Sequence, residues 1–297
     1  MRILFAAALT LTFAIIGAAP PAKPKPLTPP DLIAAAPASA WRAIPPQDLL
    51  VLDLKSGARI VIQLAPAFAP VHVANIRTLA RTGWFAGSTI YRVQDNYVAQ
   101  WGRNDDAPKF PAAVVAKPPA EYQRPKSGLR ITPFAFRDSY APRTGFASGW
   151  PVAIHHGLVT LTHCYATVGV GRDLAPDTGT GGELYAIIGQ APRQLDRNIA
   201  IVGRVISGIE ALSSLPRGTA PMGFYKERSS DVPIASTRLA SDIPVAERPT
   251  FEAMDTMSDS FARLIRLRAN RNDDFYKIPA GGVDICNVPV PTRLART

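Results

Sequence analysis

The chain has 297 residues, 47% of them hydrophobic, and a formal net charge of +10. That length suits one large domain with appendages and an ample core. The charge is carried mostly by Arg, has no Lys/Arg run of five or more and is interspersed with acids; it reads as a solvated surface favouring anionic envelope surfaces or acidic partners, and argues against the basic, aromatic-studded stripe of a nucleic-acid binder.

Met1-Arg2, an apolar run from Ile3 to Ile16 and the small residues Gly17-Ala18-Ala19 predict a secretory signal peptide over residues 1–19. The run is short of the ~20 apolar residues of a membrane span, no later segment is long enough, and no Cys follows to carry a lipid anchor. The expectation is an exported, soluble protein, most simply periplasmic. Residues 20–46, rich in Pro and Ala, predict an extended, semi-rigid tether. Strands are expected over Leu49–Leu54 and Ile60–Leu64, joined at Ser56-Gly57. Pro70 can open a helix, with Val73, Ile76 and Leu79/Ala80 at helical spacing and Gly83 as its stop. His72 and Asn75 on this helix are expected as surface or capping groups.

Ser88 to Gly102 reads as strand, turn and strand, with Gln94-Asp95-Asn96 as the turn. Val98 and Gln100 share a face by period-2 alternation, and Arg92 lies just before the turn. An Arg fork and an amide beside aromatic and aliphatic walls form a docking site for a peptide and a proline ring. Residues 103–156 are Pro-rich and read as a long loop holding several aromatics: a lid beside the groove, or an insertion whose aromatics pack on the barrel. Leu158–Leu161, Tyr185–Ile188, Ala200–Ile206 and Pro233–Leu239 supply further strands, and Ile209–Leu215 a second helix. Many short strands with little helix predict an all-β closed barrel. After Pro249, the residues Met254, Met257, Phe261, Leu264/Ile265 and Arg268 mark an amphipathic helix, with Glu252 in its first turn and Arg263, Arg266 and Arg271 on its other face. It docks on the barrel or on a partner.

Several motifs in fixed order resemble cyclophilins, the peptidyl-prolyl cis/trans isomerases. Tyr91-Arg92-Val93 and Tyr97-Val98-Ala99-Gln100-Trp101-Gly102 are similar to the family's Arg and Phe-Met-x-Gln-Gly-Gly strands. Gly57 to Leu64 and Ala69 to Ile76 resemble its opening strand and first helix, and Gly157 to Thr162 its next strand. Gly181-Gly182-Glu183-Leu184-Tyr185 stands where the family has Gly-Ser-Gln-Phe-Phe. Leu195-Asp196 and Val202-Gly203-Arg204-Val205-Ile206-Ser207-Gly208 follow in order, so the likeness runs from about Leu49 to about Leu215.

The resemblance implies a mainly β, cyclophilin-like closed antiparallel β-barrel over residues 47–245 with two flanking helices, plus a C-terminal helical extension over 246–297. It implies prolyl isomerisation without cofactor or metal, on proline-containing polypeptide clients, by a monomer assisting the folding of envelope proteins. Arg92 and Gln100 take the catalytic positions. Tyr97, Val98, Tyr185, Leu195 and Ile199 fall on the proline cup, with Gln194 beside it, and Thr162, His163 and Glu183 flank the peptide. The chain departs from the family pattern at Gln194 (often Trp), Ile199 (often His), His163 (often Asn), Glu183 (often Gln) and Trp101 (Gly). These departures predict a slower enzyme with weakened cyclosporin binding, and the carboxylate of Glu183 is expected to pair with Arg92. The rival readings are a weak or inactive peptide-binding module on the same barrel, and a scaffold whose C-terminal helix holds a partner.

Two cysteines, Cys164 and Cys286, are either a disulfide, allowed in an oxidising compartment and tying barrel to tail, or two small buried residues. They are too few for a zinc site. Residues 178–182 are glycine-rich but lack the Lys-Ser/Thr of a phosphate loop. His155-His156 has no ligand cluster nearby, and His163-Cys164, as strand neighbours, point apart.

Overall fold

The computed structural model describes residues 26–103 and 108–295. The expected signal peptide and the first residues of the tether lie outside them. The rest of the tether is folded. Helix α1 (Pro29–Ala34) begins with prolines in its first turn and is capped by Thr28 in a capping box with Asp31. A short strand β1 (Trp41–Ala43) follows. Leu32, Ala36, Ala40 and Trp41 are buried in a common cluster, and that burial outweighs the extended preference of a Pro-rich chain.

β2 (Leu49–Leu54) and β3 (Arg59–Leu64) form a hairpin. Leu50, Leu52, Ile60 and Ile62 point into the barrel, while Leu49, Val51 and Val61 pack outward against Ile243 and Phe251. Both faces are covered, which is why Leu-Leu-Val-Leu runs without polar alternation. α2 (Pro70–Arg81) places Val73, Ile76 and Leu79 in the barrel core. His72 and Asn75, expected at the surface, are 0% and 1% exposed. His72 contacts Glu121 and the Thr178 carbonyl, and the Asn75 amide donates to the Val115 and Thr180 carbonyls. They satisfy backbone groups of two irregular segments laid over the helix.

β4 (Thr89–Val93) and β5 (Val98–Gly102) form the expected hairpin. The segment expected as a loop, residues 103–156, instead holds the strands β6 (Arg124–Pro125), β7 (Ile131–Phe134), β8 (Arg143–Ala147) and β9 (Trp150–His155), which with the expected strand β10 (Leu158–Leu161) form a sheet in the order β6-β10-β9-β8-β7. Two tight turns make it possible. Ser148-Gly149 and His156-Gly157 all have positive φ, between 47° and 83°, the geometry that suits two-residue hairpins. One face packs Trp150, Val152 and Ile154 against Phe68 and Ile201 of the barrel. The other presents Phe134 and Phe146 to the C-terminal region.

β11 (Thr167–Val170), β12 (Leu184–Ile187), β13 (Ile201–Ser207) and β14 (Val232–Leu239) complete the barrel, with the short helix α3 (Ile209–Ser213) adding Leu212 to its core. The closed order is β11-β12-β5-β4-β14-β2-β3-β13. Residues 158–161, expected as a strand of the barrel, form a strand of the insertion sheet instead, and β11 is the barrel strand that pairs with β12.

The tail also differs from expectation. β15 (Phe251–Met254) is a strand pairing with β1 and with β16 (Thr292–Leu294), and α4 (Asp259–Ala269) starts later, capped by Ser258. Phe261 and Leu264 are fully buried, and Phe261 meets Phe146 edge-to-face at 4.8 Å. The helix docks on α1 and the insertion sheet rather than on the barrel, so its apolar face is covered by this chain and not held open for a partner. Cys164 and Cys286 are joined by a disulfide. Among the described residues no helix is long and apolar enough to cross a membrane, and no cluster of His, Cys, Asp and Glu forms a metal site.

Candidate active site

A groove opens where β4, β5 and β12 meet the loop after α3. Arg92 and Gln100 face each other across the β4–β5 ladder. Arg92 Nη1 donates to Gln100 Oε1 at 2.9 Å, Nε to the Met222 carbonyl at 2.7 Å and Nη2 to Gln94 Oε1 at 2.5 Å. Its guanidinium lies between the rings of Tyr97 and Phe224, at 5.8 and 5.4 Å from their centroids. Three of five N–H groups are thereby used, and the rest are available to a ligand. Burial lowers the Arg92 pKa, yet a guanidinium stays charged.

Gln100 is fixed on its other side. Its Nε2 donates to the Tyr91 hydroxyl at 2.8 Å and lies 3.3 Å from Glu183 Oε2. The Tyr91 hydroxyl donates to the same carboxylate oxygen at 2.8 Å. Glu183 thus holds Gln100 and Tyr91 rather than pairing directly with Arg92. Burial, and then the Glu183 charge, raise the Tyr91 pKa, so this phenol stays protonated.

The apolar side of the groove is Tyr97, Val98, Tyr185 and Ile199. Tyr185 stands opposite Gln100 on one side and Gly169 on the other. A Cβ at Gly169 would come within 2.3 Å of the Tyr185 hydroxyl, so a glycine there gives the ring its place. Behind Tyr185, its hydroxyl is 3.1 Å from His163 Nε2, and His163 Nδ1 is 2.9 Å from Asp196 Oδ1. Arg193 then joins Asp196 to Asp138 of the insertion.

Seven of the eleven expected site residues therefore meet at the groove: Arg92, Gln100, Tyr97, Val98, Glu183, Tyr185 and Ile199. Four do not line it. Thr162 is buried and bonded to the Pro151 carbonyl, and His163 is fully buried behind Tyr185. Both follow β10 rather than β11, so Gly171 and Arg172 occupy the groove instead. Gln194 is exposed and Leu195 half-buried in the turn that presents Asp196. Trp101 points into the barrel core. Met222 and Phe224 have no local signature in the sequence because they sit about 130 residues from Arg92, where the Arg92–Met222 bond and a β-bridge between Arg92 and Phe224 hold them; the glycines at 218 and 223, pressed together in a tight turn, were the available signal.

A cyclophilin-type peptidyl-prolyl cis-trans isomerase model matches residues 50–239. The chain belongs to the cyclophilin family. It is accordingly a peptidyl-prolyl cis/trans isomerase. Curated relatives from Brucella suis biovar 1 (strain 1330) and Brucella melitensis biotype 1, each named a probable peptidyl-prolyl cis-trans isomerase, are 25% identical over 182 residues, covering 60% of this chain and 76% of theirs. The crystal structure of cyclophilin AquaCyp293 from Hirschia baltica covers 91% of this chain and 99% of its own, with TM-score 0.66 and 23% identity. That cyclophilin shares the fold well beyond the stretch that the family model matches, so the added sheets are part of a fold seen elsewhere.

Proposed function

We propose that this cyclophilin isomerises X-Pro bonds with Arg92 as its catalytic residue, acting on proline-containing polypeptides in the cell envelope. Rotation about a peptide bond faces a barrier of about 18–20 kcal/mol from lost resonance. As the bond twists, the prolyl nitrogen leaves conjugation and gains a lone pair able to accept a hydrogen bond. A donor placed there stabilises the twisted state over either planar one, which is the condition for catalysis. Arg92, clamped by Gln100, Met222 and Gln94 with N–H groups to spare, is such a donor beside an apolar wall that fits a proline ring. That juxtaposition carries the reading. Gln100 orients Arg92, and Tyr97, Val98, Tyr185 and Ile199 form the cup.

Export is supported by the basic start, apolar run and small residues of positions 1–19. The Cys164–Cys286 bond agrees with an oxidising compartment such as the periplasm. The test of the mechanism is NMR exchange between cis and trans forms of a short X-Pro peptide. The wild type is expected to accelerate exchange, and Arg92→Ala, still folded by circular dichroism, to abolish the acceleration. Unchanged catalysis in that variant sinks the role given to Arg92.

A further inference from the structure

A second cavity, of about 170 Å3, lies where the outer face of β13, the insertion sheet and the C-terminal segment meet. It shares no residue with the proline groove. Leu161 and Ile201 form one side of it, and Ile285, Val288 and Val290 another. The Cys164–Cys286 bond is part of the wall and fastens the C-terminal segment over the barrel. Neither the isomerase reaction nor the fold of the barrel calls for this space.

One charged side chain lines it, Arg204. Its Nε and Nη2 donate to Gln63 Oε1 at 3.1 and 2.8 Å, and Nη1 donates to the Gly149 carbonyl at 2.8 Å. Its guanidinium lies 4.5 Å from the Trp150 ring centroid. Every one of these partners is neutral. No carboxylate among the described residues forms an ion pair with Arg204, and burial lowers its pKa to about 10. The contacts leave two N–H groups of the fork unused. Arg204 is half-buried; a charge partly withdrawn from water without a counter-charge is costly, and an incoming anion offsets that cost. The planar fork suits a carboxylate, which it can hold with two parallel hydrogen bonds. An apolar cavity of about 150 Å3 accommodates a six-carbon ring, which sets the scale of the body that fits here.

We propose that this cavity binds a small organic monocarboxylate with an apolar tail of about six carbons, its carboxylate on Arg204 and its tail between Ile201, Val288 and Val290.

The probe is sodium hexanoate, titrated calorimetrically into the full chain with its disulfide formed. Saturable one-to-one binding is expected, with acetate and 1-hexanol each at least tenfold weaker, because one lacks the tail and the other the charge. Arg204→Met is expected to weaken hexanoate at least tenfold while keeping its isomerase rate on a proline peptide. Since that variant also loses the Gln63 and Gly149 contacts, nuclear Overhauser effects are measured in the wild type. They are expected between hexanoate methylenes and the methyls of Ile201, Val288 and Val290. The proposal is overturned by absence of saturable binding, by 1-hexanol binding as well as hexanoate, by undiminished binding to folded Arg204→Met, or by contacts to Tyr97 and Ile199 of the groove instead.

Discussion

Replacing Asp138 by Ala tests whether the insertion is welded to the barrel by charge. Asp138 accepts from Arg193 Nη1 at 2.8 Å and Nη2 at 3.2 Å, and both side chains are 3% exposed. Arg193 also donates through Nε to Asp196 at 2.5 Å and lies 5.2 Å from the Tyr140 ring centroid. Burial by itself lowers the Arg193 pKa, but its hydrogen bond to Asp138 and the charge of Asp196 carry it above its ordinary value. Removing one partner of a buried pair costs about 3–5 kcal/mol, because the other charge stays buried and unpaired. Arg193 keeps Asp196, which places Asp138→Ala at the low end, about 3 kcal/mol. With a urea slope of roughly 2 kcal/mol/M, the midpoint falls by about 1.5 M. Asp138→Ala combined with Arg193→Met is expected to cost less than the sum of the single changes, since residues in contact couple. Added salt leaves the loss in place, because buried pairs are screened little. A loss under about 1 kcal/mol, additive single changes, or a loss that disappears in high salt would refute the reasoning.

Three further outcomes follow from the structure. Changing Cys164 and Cys286 together to Ala opens a loop spanning a sequence separation of 122 and is expected to cost roughly 2–5 kcal/mol; dithiothreitol should lower the melting temperature of the wild type and leave that of the double variant unmoved. The Asp53 carboxyl, raised by desolvation but lowered more by its bonds to Arg59, Ser236 and Arg238, lies below 3.8. Its unfolded form binds the proton more readily, so its contribution is fully present above about pH 4 and lost as pH falls through the lower folded value; Asp53→Asn should flatten stability against pH in that acid window, seen by urea titration at several pH values. Phe261→Ala empties a fully buried site against Phe146 and should destabilise by about 3–5 kcal/mol, while X-Pro exchange in the folded fraction stays at the wild-type rate.

The barrel was legible where local chemistry and period agreed. Leu49–Leu54, the strand after Gly57, the helix from Pro70 and the hairpin around residues 94–96 carry their own turn residues and alternation, and each forms close to its expected bounds. Arg92 and Gln100 were legible as a pair for the same reason: a short hairpin fixes who stands opposite whom. The insertion was misread because Pro133, Pro151 and Gly145 stand inside its strands, residues that ordinarily argue against a strand. Its two positive-φ turns were written in the sequence as Ser-Gly and His-Gly, but neither is among the strongest hairpin dipeptides.

Length, order of motifs and the hairpin that bears Arg92 and Gln100 were determined by the sequence alone, because each depends on residues a few positions apart. Tertiary structure decided the rest. It put residues 158–161 in the insertion sheet and β11 beside β12 in the barrel, which left Thr162 and His163 out of the groove and brought in Arg172. It also set Met222 and Phe224 against Arg92, and folded the tether and tail together around Trp41 and Phe261. These are contacts between distant segments, settled by which buried faces find cover, and no local pattern records that choice.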